Sequence, residues 1–224
     1  EPDRVPSGSP LFFFDPMPLV TDRVTERPPL DFGNIQAAAR IYRAFGRWEA
    51  ALYASRGFYG MPGARPDDPQ APTRLIFFHP RLTTYGVSVQ GPLLSGVLSL
   101  EGGHYESRDD RSGSDPSVEN SQTRGLAAYQ LQPWGEASLS VQYYVEAMRE
   151  HDAYLASLPV GVPARDRIRQ VASLRVRQLL SHQTVQLGMF VMGSPTDEDL
   201  YMNPSLRYQV TDELWGELGG NLFH

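Results

Sequence analysis

Apolar and polar residues alternate along several stretches of the chain. Residues 136–148, EASLSVQYYVEAM, form the longest unbroken example. Because successive side chains of a β-strand point to opposite faces, this period of two predicts a strand with one apolar and one mostly polar face. The apolar parity holds Ala137, Leu139, Val141, Tyr143, Val145 and Ala147.

The same alternation recurs along most of the chain and predicts five β-hairpins. Their ten strands cover residues 35–45 and 48–58, 82–90 and 94–105, 125–132 and 136–148, 167–179 and 183–192, and 202–211 and 214–223. Tight turns close the hairpins. Longer polar or proline-rich loops connect them, at residues 59–72, about 106–123, about 149–166 and 193–201.

The first 34 residues differ from the remainder, since they hold seven prolines and no sustained period. We expect residues 1–34 to be an irregular surface segment or a constriction loop, with LFFF at residues 11–14 as a short buried anchor or edge strand. Residues 35–224 are then the β-barrel section.

Bulk composition removes several classes of protein. The 224 residues contain no run of about 18 apolar residues, which disfavours a transmembrane helix but leaves the shorter strands of a membrane barrel open. The net charge of −6 disfavours nucleic acid as the main partner. The 20 basic residues are all arginine, and cysteine is absent.

The composition of the two faces favours a membrane barrel. The apolar parity is rich in alanine and glycine, which would build a thin soluble core, whereas lipid accepts any apolar side chain. The polar parity carries charges of both signs, as in a water-filled lumen. Aromatic residues near strand ends are expected to form interfacial girdles: Phe45, Trp48, Trp134 and Trp215. The prediction is therefore an all-β, antiparallel transmembrane β-barrel; a soluble β-sandwich or lipocalin-like barrel would give the same alternation.

Turn lengths also predict the orientation of the strands. Tight turns usually lie on the periplasmic side of an outer-membrane barrel. Strand 35–45 would then run down from the cell surface and strand 214–223 would run back up. Complete single-chain barrels begin and end in the periplasm, so we expect these ten strands to belong to a barrel of twelve or more.

The C-terminal hairpin resembles the penultimate hairpin of large Gram-negative outer-membrane barrels of the porin and export type. The resemblance covers SPTDEDLYMNPSLRYQVTDELWGELGGNLFH, about a seventh of the chain. It implies location in the outer membrane of a Gram-negative bacterium and contact with lipid and lipopolysaccharide. The matching residues are Asp197, Asp199, Tyr201, Pro204, Tyr208, Thr211, Asp212, Trp215, Gly220, Asn221 and Phe223.

Charged residues of the polar parity are the candidate lumen and selectivity residues: Arg40, Glu49, Glu101, Glu136, Glu146, Arg169, Arg175, Arg177, Arg207 and Glu217. In RIRQVASLRVRQ, three arginines could form a ladder that attracts anions. They could equally pair with carboxylates such as Glu146 and Glu217.

No pattern points to catalysis, a cofactor or a structural metal. The acidic stretches SPTDEDL and ESRDDRSGSDP offer oxygen ligands for divalent cations, but solvated acidic loops explain them as well. Ser181 and His182 are adjacent in a predicted turn, with no acid to orient the histidine.

Three functions remain open. The first is a non-enzymatic outer-membrane pore that passes small polar or anionic solutes passively. The second is a non-conducting barrel that holds a plug or protein partner in an outer-membrane assembly. The third is a soluble β domain that binds an apolar ligand.

Overall fold

The computed structural model describes residues 20–29, 31–159 and 161–224. The LFFF stretch, for which a buried anchor or edge strand is predicted, lies outside the described residues. The strands are β1 (Asp22–Thr25), β2 (Ala37–Phe45), β3 (Trp48–Phe58), β4 (Gly63–Pro66), β5 (Arg74–Phe78), β6 (Arg81–Leu93), β7 (Gly96–Ser107), β8 (Gln122–Leu131), β9 (Ala137–Met148), β10 (Ile168–Leu180), β11 (Val185–Ser194), β12 (Asp199–Gln209), β13 (Trp215–Gly219) and β14 (Leu222–Phe223). A 3₁₀ turn covers Phe32–Asn34, and one short helix, α1, covers His151–Ser157.

One antiparallel sheet of eleven strands dominates the molecule. Its order is β2-β3-β6-β7-β8-β9-β10-β11-β12-β13, and β14 pairs with β12 beyond the end of β13. Each long strand pairs with the next long strand in the chain, which confirms the predicted succession of hairpins. β2 and β13 are the edges and do not pair with each other, so the sheet is open.

Strand connections define two ends of this sheet. One end, here called the turn end, carries the tight turns at residues 46–47, 94–95, 132–136, 181–184 and 210–214. The opposite end, here called the loop end, carries the connections at residues 59–80, 108–121, 149–167 and 195–198. The prediction of a fourth long loop at residues 193–201 is wrong. β11 and β12 extend into this stretch, and only residues 195–198 separate them. Leu94 and Ser95, predicted to begin a strand, form a turn instead.

The loop end also contains structure that the alternation did not predict. β1 pairs in parallel with β5, and β4 pairs antiparallel with β5, to form a separate three-stranded sheet. β4 lies within the stretch predicted to be an irregular loop, and β1 lies within the segment predicted to be irregular. Helix α1 lies within the third predicted loop.

Most of the buried apolar side chains lie at the loop end rather than between layers of sheet. In the described part of the chain they are Val20, Ala51, Leu75, Val118, Ala137, Met148 and Tyr154. Only Ala51, Ala137 and Met148 belong to the long strands. Most of the long sheet therefore has no second layer packed on either face.

Helices contribute little to the fold. Within residues 20–29, 31–159 and 161–224, no helix combines the length and the apolar character needed to cross a membrane.

Candidate functional site: the two faces of the sheet

Strand register places the apolar parities of neighbouring strands on one face, here called the apolar face. In its centre, Val141 pairs with Leu174 on β10 and Tyr129 on β8. Leu174 pairs in turn with Val191 on β11. These side chains are not enclosed: Val141 is 45% exposed and Leu174 is 36% exposed. The alternation of the sequence thus becomes a continuous apolar surface that the described residues leave uncovered.

Aromatic rings lie on this face close to the turn end. Phe45 pairs directly with Trp48, and the Trp134 indole nitrogen donates to the Gln178 side chain at 2.6 Å. Tyr129 donates its hydroxyl to the Leu93 carbonyl oxygen at 2.9 Å. These residues form a row across several strands, as a girdle at a lipid interface would.

Trp215 is the exception among the four residues predicted to form the girdle. Arg207 pairs with Glu217, and Gln209 pairs with Trp215, so all four share the opposite face. Trp215 stacks there with the Arg207 guanidinium, 4.1 Å from ring centroid to Cζ. The prediction that Trp215 belongs to the girdle is therefore wrong, because Trp215 and Glu217 are two residues apart on β13 and share the opposite face.

The opposite face, here called the polar face, carries nine of the ten candidate charges. Glu146 pairs with Arg169 and with Arg124, which fixes the face of these three residues. Glu136 is the exception: it lies in the turn before β9, with a φ of 59°. The nine residues on strands are Arg40, Glu49, Glu101, Glu146, Arg169, Arg175, Arg177, Arg207 and Glu217.

Several of these charges are neutralised in ion pairs. Arg40 binds Glu49 at 2.7 Å across the β2–β3 hairpin. Arg169 binds Asp197 at 2.6 Å, and not Glu146 as one of the two sequence interpretations expected. Glu146 instead faces Arg124 at 3.2 Å, a residue that the sequence reasoning passed over although its parity is polar.

The other three arginines have neutral partners. Arg175 lies over the Phe190 ring at 5.5 Å, and Arg177 donates to the Gln186 side-chain oxygen at 2.9 Å. Arg207 stacks on Trp215, although Glu217 is its cross-strand neighbour. In the described part of the chain, none of the three lies within ion-pair distance of a carboxylate.

Loops of the loop end cover the polar face there. Ser107, Gln122, Met148 and Ser194 are all buried, and their parities place them all on the polar face. Burial also raises the pKa of Tyr59, which lies beside Ser107. The polar face is thus covered by loops at the loop end and open at the turn end.

Hydrogen bonds within the loops hold this cover together. The Ser121 hydroxyl accepts from the Ser107 amide at 3.0 Å, and Asn120 donates to the Arg149 carbonyl oxygen at 3.1 Å. Gly63 of β4 lies so close to the Ser117 carbonyl oxygen that a Cβ would not fit between them. The three long loops therefore pack on one another as a unit.

The acidic stretches use their carboxylates internally. Asp110 accepts from the Ser112 hydroxyl at 2.7 Å and from the Asp115 amide at 2.6 Å. Burial opposes the charge of Asp110, but these hydrogen bonds outweigh it and lower its pKa. Arg169, followed by the Ser194 hydroxyl, lowers the pKa of Asp197. No group of three or more potential metal ligands occurs in the described ranges.

The predicted turn pair does not form a catalytic arrangement. Ser181, His182 and Gln183 all have positive φ in the turn between β10 and β11. Their contacts include no orienting acid in the described part of the chain; the Ser181 carbonyl oxygen accepts from the Thr184 hydroxyl at 2.7 Å.

Comparison with protein-family models, with curated proteins and with solved structures gives no match for this chain.

Proposed function

We propose that this sheet is part of the wall of a β-barrel in the outer membrane of a Gram-negative bacterium, and that the barrel passes small polar or anionic solutes without catalysis. The observation that carries the proposal is the uncovered apolar face. Val141, Leu174 and Ile41 project from different strands, and the most exposed of them, Ile41, is 74% accessible. In water such a surface is unfavourable at about 25 cal/mol per Å².

Strand length supports the same proposal. Eight of the long strands, β3 and β6 to β12, have between 10 and 13 residues. A tilted strand needs roughly 9–11 residues to cross the hydrocarbon layer. A soluble sandwich would place a second sheet against the apolar face, and the described residues supply none.

Closure of the barrel remains part of the proposal. In lipid every backbone N–H and C=O needs an internal partner. β2 and β13 run in opposite directions, and no described strand pairs with their outer edges. We propose that further strands pair with both edges and give a barrel of twelve or more strands that encloses the polar face.

Tryptophan fluorescence tests which face meets lipid, because the chain has three tryptophans. Trp48 and Trp134 lie on the apolar face and Trp215 on the polar face. Single-tryptophan chains, made by Trp→Phe substitutions at the other two positions, are reconstituted into vesicles containing brominated lipids. We expect strong quenching of Trp48 and Trp134 and weak quenching of Trp215; equal quenching of all three would contradict the proposal.

A non-conducting scaffold is the second candidate, and the covered loop end favours it. The loops that bury Ser107 and Gln122 would obstruct the space over the polar face at that end. Conductance in planar bilayers separates the two functions. A pore gives stepwise ohmic currents, whereas a plugged scaffold inserts, as judged by lipid quenching, and stays silent.

A further inference from the structure

We propose that Arg175, Arg177 and Arg207 form an anion-binding site for small oxyanions such as carboxylates and phosphate. This site lies on the polar face toward the turn end. The inference deepens the proposed function and rests on it, since an anion bound there reaches the face through the lumen.

The three guanidinium groups are held by neutral side chains rather than by carboxylates. Arg177 donates one N–H to Gln186 at 2.9 Å, and Gln186 is the direct cross-strand neighbour of Arg207. Arg175 and Arg207 lie against the rings of Phe190 and Trp215. A ring orients a guanidinium while leaving its five N–H donors free for an oxyanion.

Small residues surround these arginines and leave space above the sheet. Arg175 and Arg177 pair with Ser140 and Ser138 on β9. On the other side, Arg177 pairs with Gly188, and Gly188 pairs with Ser205. A Cβ on Gly188 would meet the Ser205 hydroxyl at 2.5 Å, so that hydroxyl lies over Gly188 and forms a small polar floor between the arginines. Arg177 and Arg207 lie on either side of this floor, on β10 and β12. Two strand spacings and an offset of two residues separate their Cα atoms by roughly 12 Å.

The carboxylates near the site do not pair with its three arginines in the described structure. Glu217 on β13 is the one strand carboxylate beside the three arginines, and it makes no ion pair with Arg207 in the described structure. Glu136, Asp212 and Glu213 lie in the turns at the rim. Arg169, farther toward the loop end, is already bound to Asp197. Uncompensated cations that face an enclosed aqueous path concentrate anions there.

Trp215 provides a direct optical probe of this site, because its ring touches Arg207. In the reconstituted chain with Trp48→Phe and Trp134→Phe, Trp215 is the remaining tryptophan. Quenching by iodide and by caesium ions is measured at equal ionic strength. We expect a higher Stern–Volmer constant for iodide, and the iodide-to-caesium ratio should fall about threefold when Arg175→Gln and Arg177→Gln are combined.

A matched control removes two arginines from the same face that are already neutralised. Arg40→Gln with Arg124→Gln abolishes the pairs with Glu49 and Glu146 and also removes two positive charges. We expect the quenching ratio of Trp215 to change little. A fall as large as that of the first variant would overturn the site and leave only a general charge effect.

Inorganic phosphate identifies the ligand class. At constant ionic strength, phosphate should protect Trp215 from iodide in the otherwise unaltered single-tryptophan chain and not in the Arg175→Gln, Arg177→Gln chain. Equal protection in both would overturn the proposal. Failure of this test with preserved lipid quenching of Trp48 would remove the anion site alone, whereas loss of lipid quenching would remove the membrane function.

Discussion

At the scale of single residues, two glycines on the apolar face provide flat positions for aromatic rings. A Cβ on Gly91 would overlap the Trp48 ring, and a Cβ on Gly96 would overlap the Tyr129 ring. An aromatic ring that covers a strand glycine replaces the packing which that glycine lacks. The aromatic row at the turn end therefore depends on glycines as much as on aromatic residues.

Gly91→Ala should displace the Trp48 ring, because the clash involves atoms near the ring's attachment and not a flexible tip. We expect a loss of about 1–3 kcal/mol in the free energy of unfolding. The measurement is denaturant unfolding from vesicles, followed by Trp48 fluorescence with Trp134 and Trp215 replaced by Phe. Gly102→Ala is the control, because its added Cβ would meet Val87 at an ordinary 3.5 Å. Similar losses for both variants would contradict this account.

Asp110 makes the loop cover sensitive to acid. Since its pKa is lowered in the folded chain, its charge stabilises the loop above the unfolded value of about 3.9, and this contribution is lost as the pH falls through the folded pKa. We expect amides of residues 110–115 to stay protected from hydrogen exchange at pH 5–7 and to lose protection in stronger acid. Asp110→Asn should lose part of that protection already at neutral pH; unchanged protection would contradict the role of the charge.

At the scale of the element, each strand separates two environments residue by residue. Val141 and Gln142 are neighbours on β9, yet they lie on the apolar and the polar face respectively. The same chemical change should therefore impair membrane insertion at Val141 and have little effect on it at Gln142.

Val141→Arg should impair insertion, since arginine on a lipid-facing strand position costs about 2–4 kcal/mol near the bilayer midplane. Gln142→Arg adds the same side chain on the polar face and should insert nearly normally. The inserted fraction is measured by protease protection after refolding into vesicles. If Gln142→Arg is impaired as much as Val141→Arg, the assignment of faces fails.

The alternation was sufficient to predict the nine long strands, β2, β3 and β6 to β12, because a period of two over about ten residues is a strong local signal. The tenth predicted strand, at residues 214–223, is divided in the structure into the short strands β13 and β14. The alternation missed β1, β4 and β5, which have only 4, 4 and 5 residues. Their pairing joins Asp22 to Arg74, residues far apart in the chain, and no local pattern records it. The parity of Glu217 already implied the face of Trp215, so that error was avoidable.

The candidate site was predictable only in part. Parity placed nine of the ten candidate charges on a common face, but it could not tell which arginines are neutralised. That distinction depends on contacts between separate elements, such as Arg169 with Asp197 and Arg124 with Glu146. The prediction for Glu136 was wrong because this residue adopts a left-handed turn conformation. Strand β9 therefore begins one residue later, at Ala137.

At the scale of the whole molecule, the sheet ends in two edges that have no partner strand among residues 20–29, 31–159 and 161–224. Side chains of β2 and β13 are exposed throughout, and Leu218 on β13 is 74% accessible. Exposed edges of this kind bind other strands. The free edges and the apolar face together make the open sheet unfavourable in water.

The rate of amide hydrogen exchange at these edges should depend on whether another strand pairs with them. In detergent, the amides of β2 that face away from β3 are expected to exchange quickly, while those of β8 are protected. Once further strands pair with β2 in the membrane-inserted barrel, the β2 amides should become as protected as those of β8. Fast exchange of the β2 amides in the membrane would exclude edge pairing and thus the closed barrel.

In the proposed barrel, the loops that cover the polar face at the loop end and the unpaired arginines toward the turn end would give the lumen a polarity along its axis. Ions that enter from opposite sides would meet different resistances, a packed barrier first in one direction and a cationic funnel first in the other. A channel built on this wall should therefore rectify, carrying more current at one sign of the applied voltage than at the other.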